Sequence, residues 1–404
     1  MNKKKFIFSS ASVDFYFDAL FSRLDTVVDR KKAIIITDAH VFEAHQSKFR
    51  NWNVITLKPG EEYKVQPTAD AIIEQLIEFQ ADRKSILVGV GGGVVTDLTG
   101  YVASIFMRGI QFGFVPTSLL AMVDASIGGK NGIDVGQYKN MVGIIRQPSF
   151  IYYDQSFLKT LPDAEWSNGF AEIIKHACIL DAKSFQLLES STLDKAKKSK
   201  KLMQEIILSN VKLKAGVVKR DEFEAGERKI LNFGHTLGHA LETQYELTHG
   251  HAVSLGMVFA AWLSENLLGF KDAARIEQIL INFGLPTRSV FDVEKVFNVL
   301  KMDKKRISKA MGYILLKRIG KGVISDIDVD AIKSHLSVYN ETNKKKKLLQ
   351  SFIHPGSLEL CVRRAPRATC KGLVLQLCFT RGSPISLILA KAMMTWQHWM
   401  SFQN

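Results

Sequence analysis

A strand that runs into three consecutive glycines and then directly into a helix constrains the fold of this chain more than any other feature. Residues 86–90 are an apolar run, residues 91–93 are glycines, and residues 94–105 have the apolar spacing of a helix. Similar patterns predict strands at 33–37, 54–57, 112–115 and 150–153, and a helix at 68–80 capped by Thr68. This alternation is typical of a parallel α/β sheet, which binds ligands beyond the carboxyl ends of its strands.

The glycine turn itself indicates an anion site but does not prove one. Its sequence, VGVGGGVVTDLTG, lacks the strict GxGxxG fingerprint because Val94 stands where the third glycine would be. The start of a helix directs backbone N–H groups and a dipole towards an anion, and Gly92 and Gly93 would allow a pyrophosphate to approach. Asp97 lies one turn further along. A tight turn that only packs a helix on a strand would give the same pattern.

The second half of the chain has a different hydrophobic pattern. Helical spacing dominates at 171–180, 194–218, 235–245 and 252–268. We therefore predict an α/β domain over residues 1–158, a mostly α-helical domain over 159–340, and a boundary near 155–162. The lysine-rich run at 195–201 is expected to form a solvated helix face.

The last 64 residues, 341–404, differ again, since they carry ten Lys or Arg against two Glu and show no sustained period. This basic tail is expected to lie outside the fold, as unrelated or out-of-frame sequence; an added binding module is the alternative. The tail supplies +8 of the formal net charge of +14. The remaining excess suits a small anionic substrate at least as well as a nucleic acid, and we expect neither nucleic acid nor membrane as a partner.

Two further features of composition bear on location. No apolar run reaches the roughly 18–20 residues that a membrane span needs. The four cysteines, three of them in the last 44 residues, show no CxxC spacing. A reducing cytoplasm is therefore the expected compartment.

A cluster of histidines in the second half has the spacing of a metal site. His235 and His239 are four residues apart in NFGHTLGHALE, and His249 follows ten residues later. Glu172 and Lys175, three residues apart in GFAEIIKHA, share one helix face. One Glu and two His form a known ligand set for catalytic zinc, although isolated histidines are more often structural. The absence of HExxH disfavours a zinc protease.

Basic and acidic residues of the first half complete the candidate site. Arg108, Lys130, Lys139 and Asn140 are donors for an anion, and Asp124 stands between an apolar run and a glycine turn, where it could also be a simple cap. A nicotinamide can take a hydride from a secondary alcohol, and a divalent metal lowers the pKa of that alcohol. The residues thus indicate a metal- and NAD-dependent enzyme that acts on an anionic polyol.

The motifs also resemble those of a known family. The segments that carry the resemblance are GGGVVTDLTGYVAS, MRGIQFGFVPTSLLAMVDASIGGKNGID, KNMVGI, FAEIIKHA, DEFEAGERKILNFGHTLGHALE and HGHAVSLGM. Over about residues 10–338 the chain is similar to the 3-dehydroquinate synthases, which are sugar phosphate cyclases. The resemblance implies a Rossmann-like NAD-binding domain followed by a mostly α-helical metal-binding domain, a homodimer, and NAD with one zinc or cobalt ion as cofactors.

The resemblance also assigns roles to individual residues. The implied metal ligands are Glu172, His235 and His249. The implied catalytic residues are Lys175, His239, Asp124, Lys139, Asn140 and Arg228. The implied substrate contacts are Arg108, Lys130, Lys214, Asn232 and Lys304, with Arg108 reaching the substrate phosphate of the neighbouring subunit. The implied cofactor contacts are Asp38, Glu61, Lys64, Gly92, Gly93, Val94, Asp97, Thr117, Ser118, Lys139 and Thr160.

The activity implied is conversion of 3-deoxy-D-arabino-heptulosonate 7-phosphate to 3-dehydroquinate and phosphate. A sister cyclase that acts on another sugar phosphate is an alternative, although Lys175, Arg228 and Asn232 favour a carboxylated substrate. A metal- and NAD-dependent polyol dehydrogenase is a second alternative, and it would release NADH in proportion to substrate. A damaged, non-catalytic chain is a third, but no motif of the site is broken.

Overall fold

The computed structural model describes residues 1–136, 138–303 and 310–353 of the chain. Met1–Lys346 form one compact unit, and Lys347–Asn404 form a second, of which only the helical residues 347–353 are described. The predicted substrate contact Lys304 and residues 354–404 of the predicted tail lie outside the described residues. The final helix continues past residue 340, where the sequence predicts the tail to begin.

A seven-stranded sheet forms the first half of the fold. The strands of the chain are β1 (Asn2–Ile7), β2 (Ser12–Phe17), β3 (Ala33–Asp38), β4 (Asn53–Leu57), β5 (Ile86–Gly91), β6 (Gln111–Pro116), β7 (Lys130–Val135), β8 (Tyr138–Ile145), β9 (Phe150–Tyr152), β10 (Ala310–Arg318) and β11 (Lys321–Asp328). The order across the sheet is β1-β2-β9-β6-β5-β3-β4, and every neighbouring pair is parallel except β1 and β2. The predicted α/β class is therefore confirmed.

Helices cover the sheet and form most of the second half. They are α1 (Ala39–Ala44), α2 (Gln46–Phe49), α3 (Gln66–Glu78), α4 (Gly93–Ile105), α5 (Asp163–Leu180), α6 (Ala182–Glu189), α7 (Leu193–Lys198), α8 (Lys200–Arg220), α9 (His235–Tyr245), α10 (His249–Leu268), α11 (Ala273–Asn282), α12 (Val293–Asp303) and α13 (Val329–Ile353). Among the described residues, none of these helices is long and apolar enough to cross a bilayer.

The structure corrects the predicted helices in two places. The predicted helix over 194–218 is two helices, α7 and α8, because the Ser199 side chain accepts a hydrogen bond from the backbone N–H of Leu202 and caps a new start. The predicted cap at Thr68 is also wrong. Helix α3 begins two residues earlier, with Val65 at the N-cap and Pro67 in the first turn, where proline is favoured.

Three hairpins were not predicted from the sequence, and one of them, β1–β2, lies at the edge of the large sheet. β7 pairs with β8, and β10 pairs with β11, each in an antiparallel two-stranded sheet. Seven of the eight residues of β8 are exposed, so this strand lacks the apolar alternation that reveals a half-buried strand. The β7–β8 hairpin matters for function because it carries Lys130, Lys139 and Asn140.

Close packing of α9 against α10 places the histidine cluster. His235 is the first residue of α9, and Gly234 before it adopts a left-handed conformation with φ of 80°. Gly256 lies in the interior of α10, and a Cβ atom there would overlap the carbonyl oxygen of Gly234. A glycine at 256 therefore allows α10 to approach the start of α9, which brings His235 close to His249 at the start of α10.

Gly256→Ala is expected to lower the free energy of unfolding by about 1–3 kcal/mol, because the new methyl group forces two packed helices apart. The matched control is Gly216→Ala in α8, where the nearest atom to a Cβ would be Arg220 Nη1 at 3.6 Å. That control should be neutral or slightly stabilising, since alanine has the higher helix propensity. Thermal unfolding of the three proteins provides the comparison, and equal effects of both substitutions would contradict the argument.

Candidate active site

A cavity of about 1370 Å³ contains most of the predicted site residues. One side is lined by residues that follow β3 and β5 and by the β7–β8 hairpin, and the other by residues of α9, α10 and α12. Single-ligand pockets usually measure about 300–1,000 Å³. The cavity therefore has room for two ligands side by side.

The glycine turn forms one end of this cavity. Gly92, Gly93 and Val94 line it at the start of α4, and among the described residues no side chain caps this helix. Gly92 has φ of −76°, which any residue adopts, and the atom nearest to a Cβ there would be Ser118 Oγ at 3.5 Å. Neither backbone strain nor packing demands a glycine at 92. Close approach of a ligand to the start of the helix would require a glycine at this position. The turn therefore fits a pyrophosphate.

A buried lysine ties the predicted cofactor residues together. Lys64 Nζ lies 2.7 Å from Asp97 Oδ2 and 3.5 Å from Glu61 Oε1, and it donates a hydrogen bond of 2.6 Å to Asn140 Oδ1. Burial alone would lower the pKa of Lys64, but the carboxylates of Asp97 and Glu61 raise it above its usual value. A permanent positive charge therefore lies at the junction of the glycine turn and the β7–β8 hairpin.

The predicted metal ligands come together from three helices. Glu172 of α5, His235 of α9 and His249 of α10 each offer one ligand atom, and these atoms all lie within 4.8 Å of one another. His249 Nε2 is 3.1 Å and His235 Nε2 is 3.5 Å from Glu172 Oε1. Lys175 forms an ion pair with the other carboxylate oxygen of Glu172. Glu172 is fully buried, so its charge must be balanced locally.

The hydrogen-bond directions at this group fit a divalent cation. His235 Nδ1 lies 3.2 Å from the carbonyl oxygen of Phe233 and must donate to it. Burial and the nearby Lys175 charge lower the pKa of His235 well below its usual value, so the ring is neutral. Its Nε2 then presents a lone pair to the Glu172 carboxylate. Two acceptors that face each other at 3.5 Å are favourable only with a cation between them.

The pKa shifts of the other two predicted ligands, Glu172 and His249, also indicate a site that favours a cation. Burial would raise the pKa of Glu172, but the charge of Lys175 and the hydrogen bond from His249 hold it far below its usual range. Burial would lower the pKa of His249, but the carboxylates of Glu172 and Glu242 raise it to about 9. The three residues together thus form a site that favours a positive charge at its centre. Among the described residues, Lys175 and His249 supply that charge.

Asp124 lies between the glycine-turn side and the metal-ligand side. It belongs to a single π-helical turn, Ala121–Ala125, of the kind often found at functional sites. Lys214 Nζ lies 2.6 Å from Asp124 Oδ1, and His176 Nε2 lies 3.4 Å from the same oxygen. Burial would raise the pKa of Asp124, but the charges of Lys214 and Lys175 lower it well below its usual range. Asp124 is therefore a charged carboxylate at the cavity wall.

The loop between α8 and α9 collects the remaining predicted substrate residues. Glu224 accepts hydrogen bonds from Lys130 and, at 3.2 Å, from Asn232. Arg228 Nη1 donates a bond of 2.5 Å to the carbonyl oxygen of Glu222. Both glutamates belong to the DEFEAGER motif, but sequence reasoning did not single them out.

Glu222 is the buried centre of this loop. Its carboxylate accepts hydrogen bonds from Ser9 Oγ, from the backbone N–H and side chain of Ser10, and from Gln147 Nε2. Burial would raise its pKa, but these hydrogen bonds lower it to about 2. The turn between β1 and β2 is thereby fixed to the loop that holds Arg228.

The structure does not bring every predicted residue to the cavity. Among the described residues, the predicted metal, catalytic and substrate residues of the second half that do not line it are Glu172, Lys175, Lys214, Arg228, Asn232 and His235, together with Lys130 of the hairpin. Arg108 is exposed with φ of 65° and does not line it. Thr117 is buried behind the glycine turn, where its N–H donates to the carbonyl oxygen of Gly91 at 2.9 Å. Thr160 pairs with His45 Nε2 at 2.8 Å. Asp38 and Ser118 do line the cavity, and Asp38 also caps α1 by accepting from the N–H of Val41.

Sequence reasoning also missed His176 and Glu242. His176 stands next to Lys175 in IIKHA, and Glu242 ends the motif GHALE. His176 Nδ1 contacts Asn210 Oδ1 at 3.1 Å, and Glu242 lines the cavity beside Lys139. The available signal was their place within the motifs, since each is one or a few residues from a predicted site residue.

Glu222 should make the free energy of unfolding depend on pH in the acid range. The pKa of Glu222 has its ordinary value of 4.5 when the chain is unfolded and is lowered to about 2 when the chain is folded. The unfolded chain thus binds the proton more tightly, so the contribution of Glu222 is present above about pH 4.5 and is lost as the pH falls towards 2. Between about pH 6 and pH 3.5, the melting temperature should fall more for the unsubstituted protein than for Glu222→Gln. Glu205→Gln, on the exposed face of α8, should behave like the unsubstituted protein.

Comparison with known proteins identifies the family. The models of the 3-dehydroquinate synthase N-terminal and C-terminal regions match residues 54–168 and 169–306. A 3-dehydroquinate synthase of Sulfurovum sp. is 39% identical over 338 residues, which cover 80% of this chain and 95% of that protein. One of Pyrococcus abyssi is 42% identical over 275 residues, 68% of this chain and 81% of that protein.

A solved structure of another cyclase is similar in fold to this chain. The crystal structure of 2-deoxy-scyllo-inosose synthase complexed with carbaglucose-6-phosphate, NAD⁺ and Co²⁺ has a TM-score of 0.74 and 26% identity, and the match covers 82% of this chain and 98% of that one. The chain belongs to the 3-dehydroquinate synthase family.

Proposed function

We propose that this chain is an NAD- and metal-dependent carbon–oxygen lyase that converts 3-deoxy-D-arabino-heptulosonate 7-phosphate to 3-dehydroquinate and phosphate. The observation that carries the proposal is the convergence of Glu172, His235 and His249 beside a cavity that the glycine turn also lines. The reaction combines transient oxidation, β-elimination of phosphate, re-reduction and intramolecular aldol closure. An enzyme of this kind needs a hydride acceptor and a cation next to the same substrate carbon.

The residues divide into a cofactor side and a metal side. Bound NAD⁺ supplies a hydride acceptor for a secondary alcohol, and a bound divalent cation, zinc or cobalt, supplies a Lewis acid for the same alcohol. Gly92, Gly93 and Lys64 would hold the dinucleotide, and Glu172, His235 and His249 would hold the cation.

The other charged residues are suited to hold and deprotonate an anionic substrate. The Asp124 carboxylate, kept charged by Lys214, can accept a hydrogen bond or a proton from a substrate hydroxyl. His239 lines the cavity with its ring 5.2 Å from that of His235, which places an acid or base next to the metal ligands. Lys130, Arg228 and Asn232 cluster around Glu224 and Glu222 and suit a carboxylate or phosphate.

We also propose that the protein is a cytoplasmic homodimer. Support comes from Arg108, which is exposed and outside the cavity of its own chain, and from the exposed apolar side chains of Val142 and Ile144 on β8, which do not line the cavity. We further propose that the residues after 346 are dispensable for activity, because the compact unit ends there and Asn343 is still buried within it. Light scattering of the purified chain tests the dimer, and truncation after residue 346 tests the tail.

Phosphate release from 3-deoxy-D-arabino-heptulosonate 7-phosphate, with catalytic NAD⁺, is the first test of the activity. Release is expected, and prior removal of metal by a chelator should abolish it. NADH should not accumulate, because the reaction returns the hydride. Release from another sugar phosphate alone would identify a sister cyclase instead. NADH formed in proportion to a simple polyol would identify a dehydrogenase.

Lys175→Ala and His235→Ala should each reduce turnover by at least about 10³-fold, because they remove a group that touches the reacting atoms or the cation. His235→Ala should remain folded, because it removes a neutral ring, whereas Lys175→Ala leaves the buried Glu172 carboxylate less compensated and should also lower the melting temperature. Turnover is measured as phosphate release and folding by circular dichroism. Unchanged turnover in either variant would contradict the assignment of this side of the cavity. Lys200→Ala, at the exposed start of α8, is the matched control.

A further inference from the structure

Glu242 is a charged residue at the cavity wall to which the proposed function assigns no role. It lies on α9 seven residues after His235, which is two helical turns and therefore the same face. Its side chain is only 10% exposed. A carboxylate this deeply buried needs compensation, and a lysine or histidine nitrogen lies near each of its oxygens.

The two oxygens of Glu242 face opposite sides of the cavity. Oε1 accepts a hydrogen bond of 2.7 Å from Lys139 Nζ on the β7–β8 hairpin. Oε2 lies 3.9 Å from His249 Nδ1. Glu242 therefore stands between a cation of the cofactor side and a proposed ligand of the metal side.

His249 has a carboxylate at each of its ring nitrogens. Nε2 lies 3.1 Å from Glu172 Oε1, so it points into the group of three ligands. Nδ1 points away from that group and faces Glu242. A histidine that ligates through one nitrogen is normally oriented by an acceptor at the other nitrogen, and loss of that acceptor weakens metal binding.

We propose that Glu242 is a positioning residue of the metal centre, which orients the His249 imidazole through Nδ1 and is itself held by Lys139. The inference rests on the proposed metal site of this chain. The separation of 3.9 Å is longer than a hydrogen bond, so a small movement of Glu242 towards His249 accompanies ligation. The flexible Lys139 side chain, 45% exposed, allows that movement.

The arrangement also links the two sides of the cavity. An anionic ligand that attracts Lys139 leaves the Glu242 carboxylate free to approach His249. Binding of an anion near Lys139 should therefore favour, and not weaken, the orientation of His249 for a metal ion.

The affinity of the purified full-length protein for Zn²⁺ tests the inference, measured by competition with a chromophoric chelator and without any substrate. Glu242→Gln removes the charge but keeps the shape, and it should weaken Zn²⁺ binding by about 10–100-fold. Glu265→Gln, an exposed residue of α10, removes the same charge elsewhere and should leave the affinity unchanged. Lys139→Gln releases Glu242 from its other partner, so the affinity of this variant should equal or exceed that of the unsubstituted protein.

Thermal unfolding of the metal-free proteins separates positioning from stability, since a positioning role predicts similar melting temperatures for Glu242→Gln and the unsubstituted chain. If Glu242→Gln does not fold, Glu242→Asp, which retains the charge but withdraws it from Nδ1, should give an intermediate loss of affinity. Equal Zn²⁺ affinity of the unsubstituted protein and the folded Glu242 variant overturns the inference and leaves the proposed function intact. Absence of Zn²⁺ binding by the unsubstituted protein overturns the metal centre, and the inference with it.

Discussion

The second half of the structure depends on compensation of the charge of the Glu172 carboxylate, which is fully buried. A charge without solvent costs several kcal/mol unless cations and hydrogen bonds compensate for it. Here Lys175 on the same helix and His249 on α10 supply the positive charge, and His235 on α9 faces the same carboxylate with a neutral ring that a bound cation would join to it. Three helices must therefore meet at one point, and the close contact between Gly234 and Gly256 is the packing that lets α9 and α10 do so.

The cavity follows from a second constraint, the parallel sheet. The carboxyl ends of β3 and β5 meet at one edge, so the cap of α1 and the glycine turn at the start of α4 lie side by side. The unpredicted β7–β8 hairpin completes this edge, because Lys64 of the sheet side bonds to Asn140 of the hairpin. The cavity is thus bounded by backbone N–H groups at one end and by imidazoles at the other, which is what transfer of a hydride from a chelated alcohol requires.

The sequence was sufficient for features whose cause is local. The strands at 86–90 and 33–37 are apolar runs next to turn residues, and the proposed ligands His235 and His249 stand out because they belong to a short segment rich in histidine. The sequence was not sufficient for features that depend on contacts between residues far apart in the chain. Glu222 bonds to Ser10 across 212 residues of chain, and the exposed β8 shows no alternation. A glutamate that holds another residue has the same local sequence as a solvated one, so Glu222 and Glu242 become visible only in three dimensions.

The pairing of acids with lysines explains how such a cavity receives an anion. Lys139 pairs with Glu242, Lys214 with Asp124 and Lys175 with Glu172. Each lysine is therefore already ordered, and Lys139 lines the cavity, so an incoming phosphate or carboxylate meets a positioned cation there and avoids the entropic cost of ordering a free one. The Lys139 pair differs from the other two in how easily the lysine can leave its acid. Lys214 and Lys175 are buried with their acids and cannot leave them cheaply, whereas Lys139 is half exposed. Exchange of partners during binding should therefore occur at the hairpin, while the charges next to the metal ligands stay fixed.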